Sequence, residues 1–303
     1  MDVSIIIVNW NTKQLLLDCL ASVYATIHEL AFEVLVVDNA STDGSVSAVT
    51  AYYPEVIVIK NSENLGFAKA NNQALRIMKG NFALLLNTDA LLTEGAVGRL
   101  WRFMNATPDV GLSSGQLLNA DGSKQNTIAN FPALLPLLFN ETVLRLLFPD
   151  RFPSKHKVYA VPIEVESCVG ACLMVRKQAI TQVGLFDERY FFFMEETDLA
   201  FGMRKLGWSS YLIPDVNVYH LQGQSAGHLL QSRIMFYRSR YQYIKKWHHK
   251  ILPVWICILI FRLIVNLLLN ISATIGSLGM ISGCRRRVVL YGRLIGWHLS
   301  GCP

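Results

Sequence analysis

The chain has 303 residues, 52% of them hydrophobic and 17% charged, with a formal net charge of +6, a length that suits one large or two modest domains. Its mean hydropathy of +0.31 is high for a wholly soluble chain and points to membrane contact. Six scattered cysteines without a CxxC pair argue against a zinc knuckle and a disulfide framework, and fit a reducing cytosol.

The N-terminus has no basic region ahead of an apolar run, so Val3–Val8 reads as a first strand and not as a signal peptide. It ends at Asn9-Trp10-Asn11-Thr12, with Thr12 placed to cap a helix over Lys13–Thr26. A second strand, Phe32–Val37, leads into Asp38-Asn39-Ala40-Ser41-Thr42-Asp43-Gly44, a loop rich in side chains that bond nearby backbone. A helix over Ser45–Tyr52, a strand over Val56–Lys60 and a helix over Ala68–Met78 follow. The apolar run Phe82–Leu86 then reads as a strand buried on both faces. Alternating apolar strands and helices with short connections predict a mostly parallel α/β sheet with helices on both faces.

Three strand ends in this half are polar: Asn9–Thr12, Asp38-Asn39 and Asn87-Thr88-Asp89. Ligands of open α/β sheets bind outside the carboxyl ends of the strands. Asp89 could hold a divalent cation and through it a diphosphate; equally, Asn87–Asp89 could cap a helix beginning near Thr93. No Gly-x-Gly-x-x-Gly follows the first strand and no Gly-Lys-Ser/Thr loop is present, so neither dinucleotide binding nor ATP hydrolysis is indicated.

Residues 111–124 read as a strand and turn. The Pro-interrupted apolar stretch Phe131–Pro149 is either a loop that covers the core or a surface that dips into lipid or grips an apolar acceptor. Val169–Arg176 reads as a strand whose small first residues allow close approach, followed by a helix over Lys177–Val183 that stops at Gly184. Glu195, Glu196 and Asp198 then crowd three acids behind the aromatic run Phe191–Met194, ahead of a helix over Asp198–Leu206. The helix dipole accounts for one such acid; three suggest a carboxyl held in a cleft with an altered pKa, as a general base requires. A short strand, Val216–His220, ends in His220 with Gly223 and Ser225 behind it.

Arg233–Lys250 reads as an Arg/Tyr-rich helix, either solvated or facing an acceptor's phosphates. Residues 251–281 are long and apolar enough to span a bilayer. Yet Arg262, Asn266, Asn270 and Thr274 form a polar stripe, and Lys245-Lys246, Lys250 and Arg285-Arg286-Arg287 flank both ends. Charge on both sides argues against a single span and for an interfacial or re-entrant helical pair on an anionic surface, with both ends cytoplasmic. Val288–Leu299 reads as a further surface helix.

Taken together, Val8–Asn11, Val37–Ser45, Asn64–Asn72, Leu86–Asp89, Gly184–Glu188, Glu195–Leu199 and His220 resemble, in order and over roughly residues 3–240, the inverting nucleotide-sugar-dependent glycosyltransferases of family 2, in their bacterial rhamnosyltransferase-like branch. The resemblance implies a GT-A fold over 1–232, with a nucleotide-sugar half to about 110 and an acceptor half over 111–232. Residues 233–303 would then form the membrane-association region. It also implies site roles. Asn9, Trp10, Asn11, Asp38, Asn64, Gly66, Asn71 and Asn87 would bind the nucleotide sugar. Asp89 and His220 would hold Mg2+ or Mn2+, and Glu196 would be the base, with Glu195 and Asp198 as the other acids. Asn87 stands where the family's metal motif has its first Asp, and Glu196 where the family usually has Asp. The implied activity moves a sugar, dTDP-L-rhamnose being the expected donor, to a hydroxyl of a glycan or polyprenyl-diphosphate-linked glycan in bacterial cell-surface polysaccharide synthesis, on the cytoplasmic face of the inner membrane. The alternatives are a UDP-hexose donor and a non-catalytic nucleotide-sugar-binding protein; a nucleotidyltransferase would need a Gly-rich basic loop where Asn9-Trp10-Asn11 stands. No nucleic-acid partner is expected.

Overall fold

The computed structural model describes residues 1–154, 157–221, 229–277 and 282–301. The chain divides into two compact units: Met1–Phe131 with Arg145–Ser225, and Pro132–Leu144 with Ala226–Pro303. The boundary thus falls a few residues before 233 and assigns 132–144 to the tail's unit.

The first unit begins with β1 (Val3–Asn9), α1 (Lys13–Thr26), β2 (Phe32–Asp38), α2 (Ser45–Tyr52), β3 (Ile57–Lys60), α3 (Phe67–Ile77) and β4 (Phe82–Asn87). Of these strands β1, β2 and β4 are buried on both faces, with Ile5, Ile6, Leu84 and Leu85 fully enclosed, while β3 lies at the sheet edge and is partly exposed. Helix α1 turns Leu16, Cys19, Leu20 and Val23 inward at helical spacing. The order β3-β2-β1-β4 is parallel throughout, as short crossovers between apolar strands dictate.

Beyond β4 the chain departs from a simple alternation. It forms β5 (Ala90–Leu92) before α4 (Ala96–Ala106), then β6 (Val110–Leu118) and β7 (Ile128–Ala129). Helices α5 (Leu134–Leu138) and α6 (Glu141–Leu147) precede β8 (Ile163–Val165), β9 (Ser167–Cys168), β10 (Cys172–Arg176), α7 (Lys177–Val183), α8 (Glu195–Lys205) and β11 (Ser209–His220). Strand β10 inserts antiparallel between β4 and β6, β11 runs parallel to β6, and β5 and β8 pair antiparallel with β11. The parallel sheet read from sequence therefore describes its first four strands, and the whole sheet is mixed. Strand β10 follows a long excursion and not a helical crossover, so nothing forces it to run parallel.

Two local corrections bear on function. The presence of β5 between Asp89 and α4 means that Asn87–Asp89 caps no helix. Thr12 occupies the α1 N-cap position without a side-chain cap bond; instead its hydroxyl donates to Asn9 Oδ1 at 2.8 Å and Thr88 Oγ1 at 3.1 Å. Asp43 takes over the capping, accepting from the backbone of Lys13 at 2.8 Å and of Ser45 at 3.0 Å, so one carboxylate starts both α1 and α2.

The second unit holds α5, α9 (Leu229–Trp247), α10 (Leu252–Gly276) and α11 (Ser282–Leu299). Among the described residues one helix, His249–Gly276, is long and apolar enough to cross a membrane, and most of it is not buried within the protein. Three side chains of its polar stripe bond backbone carbonyls. Arg262 donates to the Leu137 carbonyl, Asn270 to the Asn266 carbonyl and Thr274 to the Asn270 carbonyl. The stretch 131–149 divides between both readings: Phe131, Leu137 and Leu144 are buried, while Leu146, Leu147 and Phe148 are exposed.

Candidate active site

The carboxyl ends of β1, β2 and β4 form one polar edge. Buried Asn9 donates to Asp38 Oδ1 at 2.8 Å and to Ser41 Oγ at 3.0 Å, while Asp38 Oδ2 accepts from the Ser41 backbone at 2.9 Å. Asn11, in left-handed conformation with φ 52°, accepts from the Thr42 backbone at 2.8 Å. Asn9, Asp38 and Asn11 thus lock two strand-end loops together. Trp10 is half exposed at this edge and presents a flat apolar surface to anything lying across it.

Asn64 accepts from the Gly66 backbone at 2.9 Å, closing a tight loop. Gly66 has φ 79°, and a Cβ there would lie 2.8 Å from the Phe191 ring and against the Phe191 carbonyl. The adjoining Phe67 N–H donates to that carbonyl at 2.8 Å. The Asn64–Phe67 loop is thereby seated on the segment that leads to Glu195. Gly66→Ala combines a backbone clash with a conformation disfavoured for any Cβ. It is expected to lower stability by about 2–4 kcal/mol, read as a fall in melting temperature. Asn71 turns back to the Phe67 carbonyl within α3 at 2.9 Å.

The β4 end carries the charge. Asn87, half-buried, is tied through its backbone N–H to the Ala171 carbonyl at 3.0 Å. Asp89 is buried, with Oδ1 3.3 Å from His220 Nε2. Gln125, itself buried, holds His220 at two points: its amide nitrogen donates to the His220 carbonyl, and its Oε1 faces Nδ1 at 2.9 Å. With Nδ1 turned to Gln125 Oε1, Nε2 is the ring nitrogen that faces the Asp89 carboxylate oxygen. A nitrogen and an oxygen acceptor so placed are joined by a proton or by a cation. Asp89 and His220 are the pair that fits Mg2+ or Mn2+. Among the described residues no group of three or more His, Cys, Asp and Glu stands ready for a metal, so such an ion would complete its shell with ligand oxygens and water. Gly223 and Ser225 lie outside the described residues.

The acids sit in the first turn of α8, which begins at Glu195, three residues earlier than read from sequence. Two consecutive left-handed residues, Phe193 at φ 69° and Met194 at φ 72°, precede it; such strain, of about 1–3 kcal/mol per residue, gathers at functional sites. Glu195 is buried, and its Oε2 has no hydrogen-bond partner among the described residues. Burial first, and then the neighbouring Glu196 charge, push its carboxyl well above the ordinary carboxylate range. Glu196 is partly exposed, and its carboxyl is raised to about 7 by burial. A Cβ on Gly170 would lie 3.7 Å from that carboxyl carbon, which is the close approach anticipated for the small residues before β10. Asp198 accepts from Tyr190 Oη at 3.2 Å and is buried. It braces the 186–194 loop.

Glu196 thus abuts Gly170, the next residue Ala171 pairs with Asn87, and His220 pairs with Ala90 beside Asp89. The raised Glu196 carboxyl thus stands, by these pairings, within a few residues of the Asp89–His220 pair. The sequence did not mark Gln125 or Tyr190; it marked Thr88 only as part of the polar β4 end and Gly170 only as a small residue leading into a strand.

Glu195 also sets a stability test. Because its folded pKa lies above its unfolded one, its contribution is present below the unfolded value and lost as pH rises through the folded value. Glu195→Gln should therefore melt at or above the wild type at pH 8, by about 2–4 °C for ~1 kcal/mol in a chain this size. The gain should vanish toward pH 4.

The Glycosyl transferase family 2 model matches residues 4–184. The N-acetylglucosaminyl-diphospho-decaprenol L-rhamnosyltransferase of Mycobacterium tuberculosis (strain ATCC 25618 / H37Rv) is 31% identical over 215 residues, covering 66% of this chain and 69% of that one. An N-acetylglucosaminyltransferase of Azorhizobium caulinodans is 26% identical, covering 99% of this chain and 76% of that one. Mannosyltransferase PcManGT from Pyrobaculum calidifontis, solved with GDP-Man and Mn2+, superposes with a TM-score of 0.58 at 18% identity, over 98% of this chain and 86% of that one. S. aureus TarS gives 0.57 at 17% identity, and the match spans 80% of this chain and 39% of that one. At these identities the structural likeness establishes the fold alone.

Proposed function

The chain belongs to glycosyl transferase family 2 with a GT-A fold, and from that premise we propose that it transfers a sugar from a nucleoside diphosphate to a hydroxyl of a lipid-linked glycan, with inversion. The observation that carries this reading is the raised Glu196 carboxyl beside Gly170, next to the β4 end that bears Asn87 and Asp89. Glu196, its carboxyl raised to about 7, gains and loses a proton near neutrality, as a general base must.

In this reading the nucleotide lies across the strand ends. Trp10 offers its exposed face to the base, and Asn9, Asn11 and Asp38 form the rigid floor beneath it. The Asn64–Gly66 loop closes over the sugar, with Asn71 fixing the helix behind. Asn87 contributes an uncharged hydrogen-bonding group where a carboxylate would add charge. Asp89 and His220 would hold a divalent cation, which when bound would supply positive charge at the departing diphosphate. Glu196 takes the acceptor hydroxyl's proton as that oxygen attacks the anomeric carbon from the face opposite the leaving group, so configuration inverts in one displacement. Holding both partners in place contributes much of the remaining rate.

The donor is proposed as dTDP-L-rhamnose, supported by the relative named as an L-rhamnosyltransferase. A UDP-sugar donor is the competing reading, favoured by the relatives named as N-acetylglucosaminyltransferases. Calorimetric titration with dTDP-L-rhamnose and UDP-N-acetylglucosamine, each with Mn2+, separates them. Preference for the dTDP sugar by at least tenfold is expected, and preference for the UDP sugar would transfer the assignment.

The tail is proposed to attach the enzyme to the cytoplasmic face of a bacterial inner membrane, in polysaccharide synthesis. The apolar length of α10 and the basic residues before it and early in α11 support this. Both ends are placed on one side. A C-terminal tag should therefore resist externally added protease in intact spheroplasts and be cleaved in inverted vesicles.

A further inference from the structure

Residues 226–303 contain eleven Lys and Arg and no Asp or Glu, and the second unit's 132–144 segment adds a single acid, Glu141. The charges of three of these arginines act on Tyr237. Burial raises that phenol, opposed in turn by the charges of Arg240, Arg233 and Arg262. Arg240 is half-buried, with its guanidinium 5.4 Å from the Phe236 ring centre and 5.2 Å from that of Trp255. Among the described residues it makes no hydrogen bond and no ion pair, and the like charge of Arg262 bears on it. Trp255 is fully buried, and its indole N–H has no acceptor among the described residues.

A guanidinium held between aromatic rings, beside a second guanidinium, is costly without a counter-charge. Its planar donors suit a phosphate in two-point contact. The surrounding surface suits an apolar chain, since α10 exposes Phe261, Leu268 and Leu269.

We propose that Arg240, with Arg233 and Arg262, binds the diphosphate of an isoprenoid-linked acceptor, whose hydrocarbon chain lies along the apolar face of α10. The site rests on the lipid-linked acceptor of the proposed function, and it lies wholly in the second unit. It assigns Arg240 a role in holding the acceptor, separate from the chemistry at Glu196.

The test uses the full chain in phosphatidylcholine nanodiscs, with farnesyl diphosphate as probe and calorimetry as readout. The wild type should bind it at least tenfold more tightly than farnesol or inorganic diphosphate. Arg240→Gln should weaken binding at least tenfold, Arg240→Lys less, and neither should alter nucleoside diphosphate binding. If Arg240→Gln melts early, Arg233→Gln, at an exposed position, carries the test and must weaken farnesyl diphosphate at least threefold. Unchanged affinity in the glutamine variant used would overturn the assignment. So would equal binding of inorganic diphosphate, or competition by phosphatidylglycerol at equal phosphate. No sugar is transferred in this measurement, so its failure leaves the transferase reading intact. Failure of that reading would show instead as absent transfer to a soluble acceptor.

Discussion

Replacing Glu196 with Gln is expected to lower kcat by about 10²–10⁴-fold, the usual contribution of a positioned general base, while the donor's dissociation constant stays within about twofold, well under 1 kcal/mol. The substitution keeps the side chain's volume beside Gly170 and its place in the first turn of α8. It removes only the capacity to accept a proton. The pH profile gives a second signature. With a pKa of about 7, the base is protonated and idle below that value. Wild-type kcat should rise roughly tenfold per pH unit through the acid range and level off above neutrality. The residual activity of Glu196→Gln should lack that limb. An intact limb in the variant would move the base to Glu195 or Asp198. Glu195 is the poorer base at neutral pH, because its buried carboxyl holds its proton more tightly, and Asp198 is engaged by Tyr190.

Asp89→Asn is the other large effect, expected at about 10²–10³-fold in kcat/KM. The side chain keeps its size, and the Leu221 N–H to Asp89 carbonyl bond at 2.9 Å does not depend on the carboxylate. The fold should therefore persist. The loss is one negative charge opposite His220 Nε2. Because Asn87 already lacks a charge at the motif's first position, Asp89 is the sole carboxylate of the Asn87–Asp89 stretch. The variant should need far more Mn2+ for half-maximal donor binding, measured by titrating the cation at fixed nucleotide. An unchanged Mn2+ requirement would remove Asp89 from the cation seat.

The sequence made the first four strands and their helices legible because each is a short apolar run bounded by polar turns. Helices α1, α2 and α7 begin and end where capping and periodicity place them. It concealed what depends on distant partners. The three residues of β5 look like the approach to a helix, and only pairing with β11 makes them a strand. The capping of α1 by Asp43 crosses between two loops, so local reading assigned it to Thr12. Of the site, the acids and strand-end polar residues were visible by type and spacing. Gln125 was not, because a lone Gln in a turn carries no sign that it orients a histidine 95 positions away. Nor does composition say which of three neighbouring acids is pushed well above the ordinary carboxylate range; that follows from the burial of Glu195 and the partial exposure of Glu196.

The most direct test offers the full chain a panel of nucleotide sugars with Mg2+ or Mn2+ and a polyprenyl-diphosphate-linked N-acetylglucosamine acceptor, and reads the anomeric configuration of the product by NMR. The expected result is transfer of one sugar, with dTDP-L-rhamnose preferred, an anomeric configuration opposite to the donor's, and loss of transfer in Glu196→Gln. A product that retains the donor's configuration, or turnover in Glu196→Gln equal to the wild type, would contradict the single displacement assigned to Glu196.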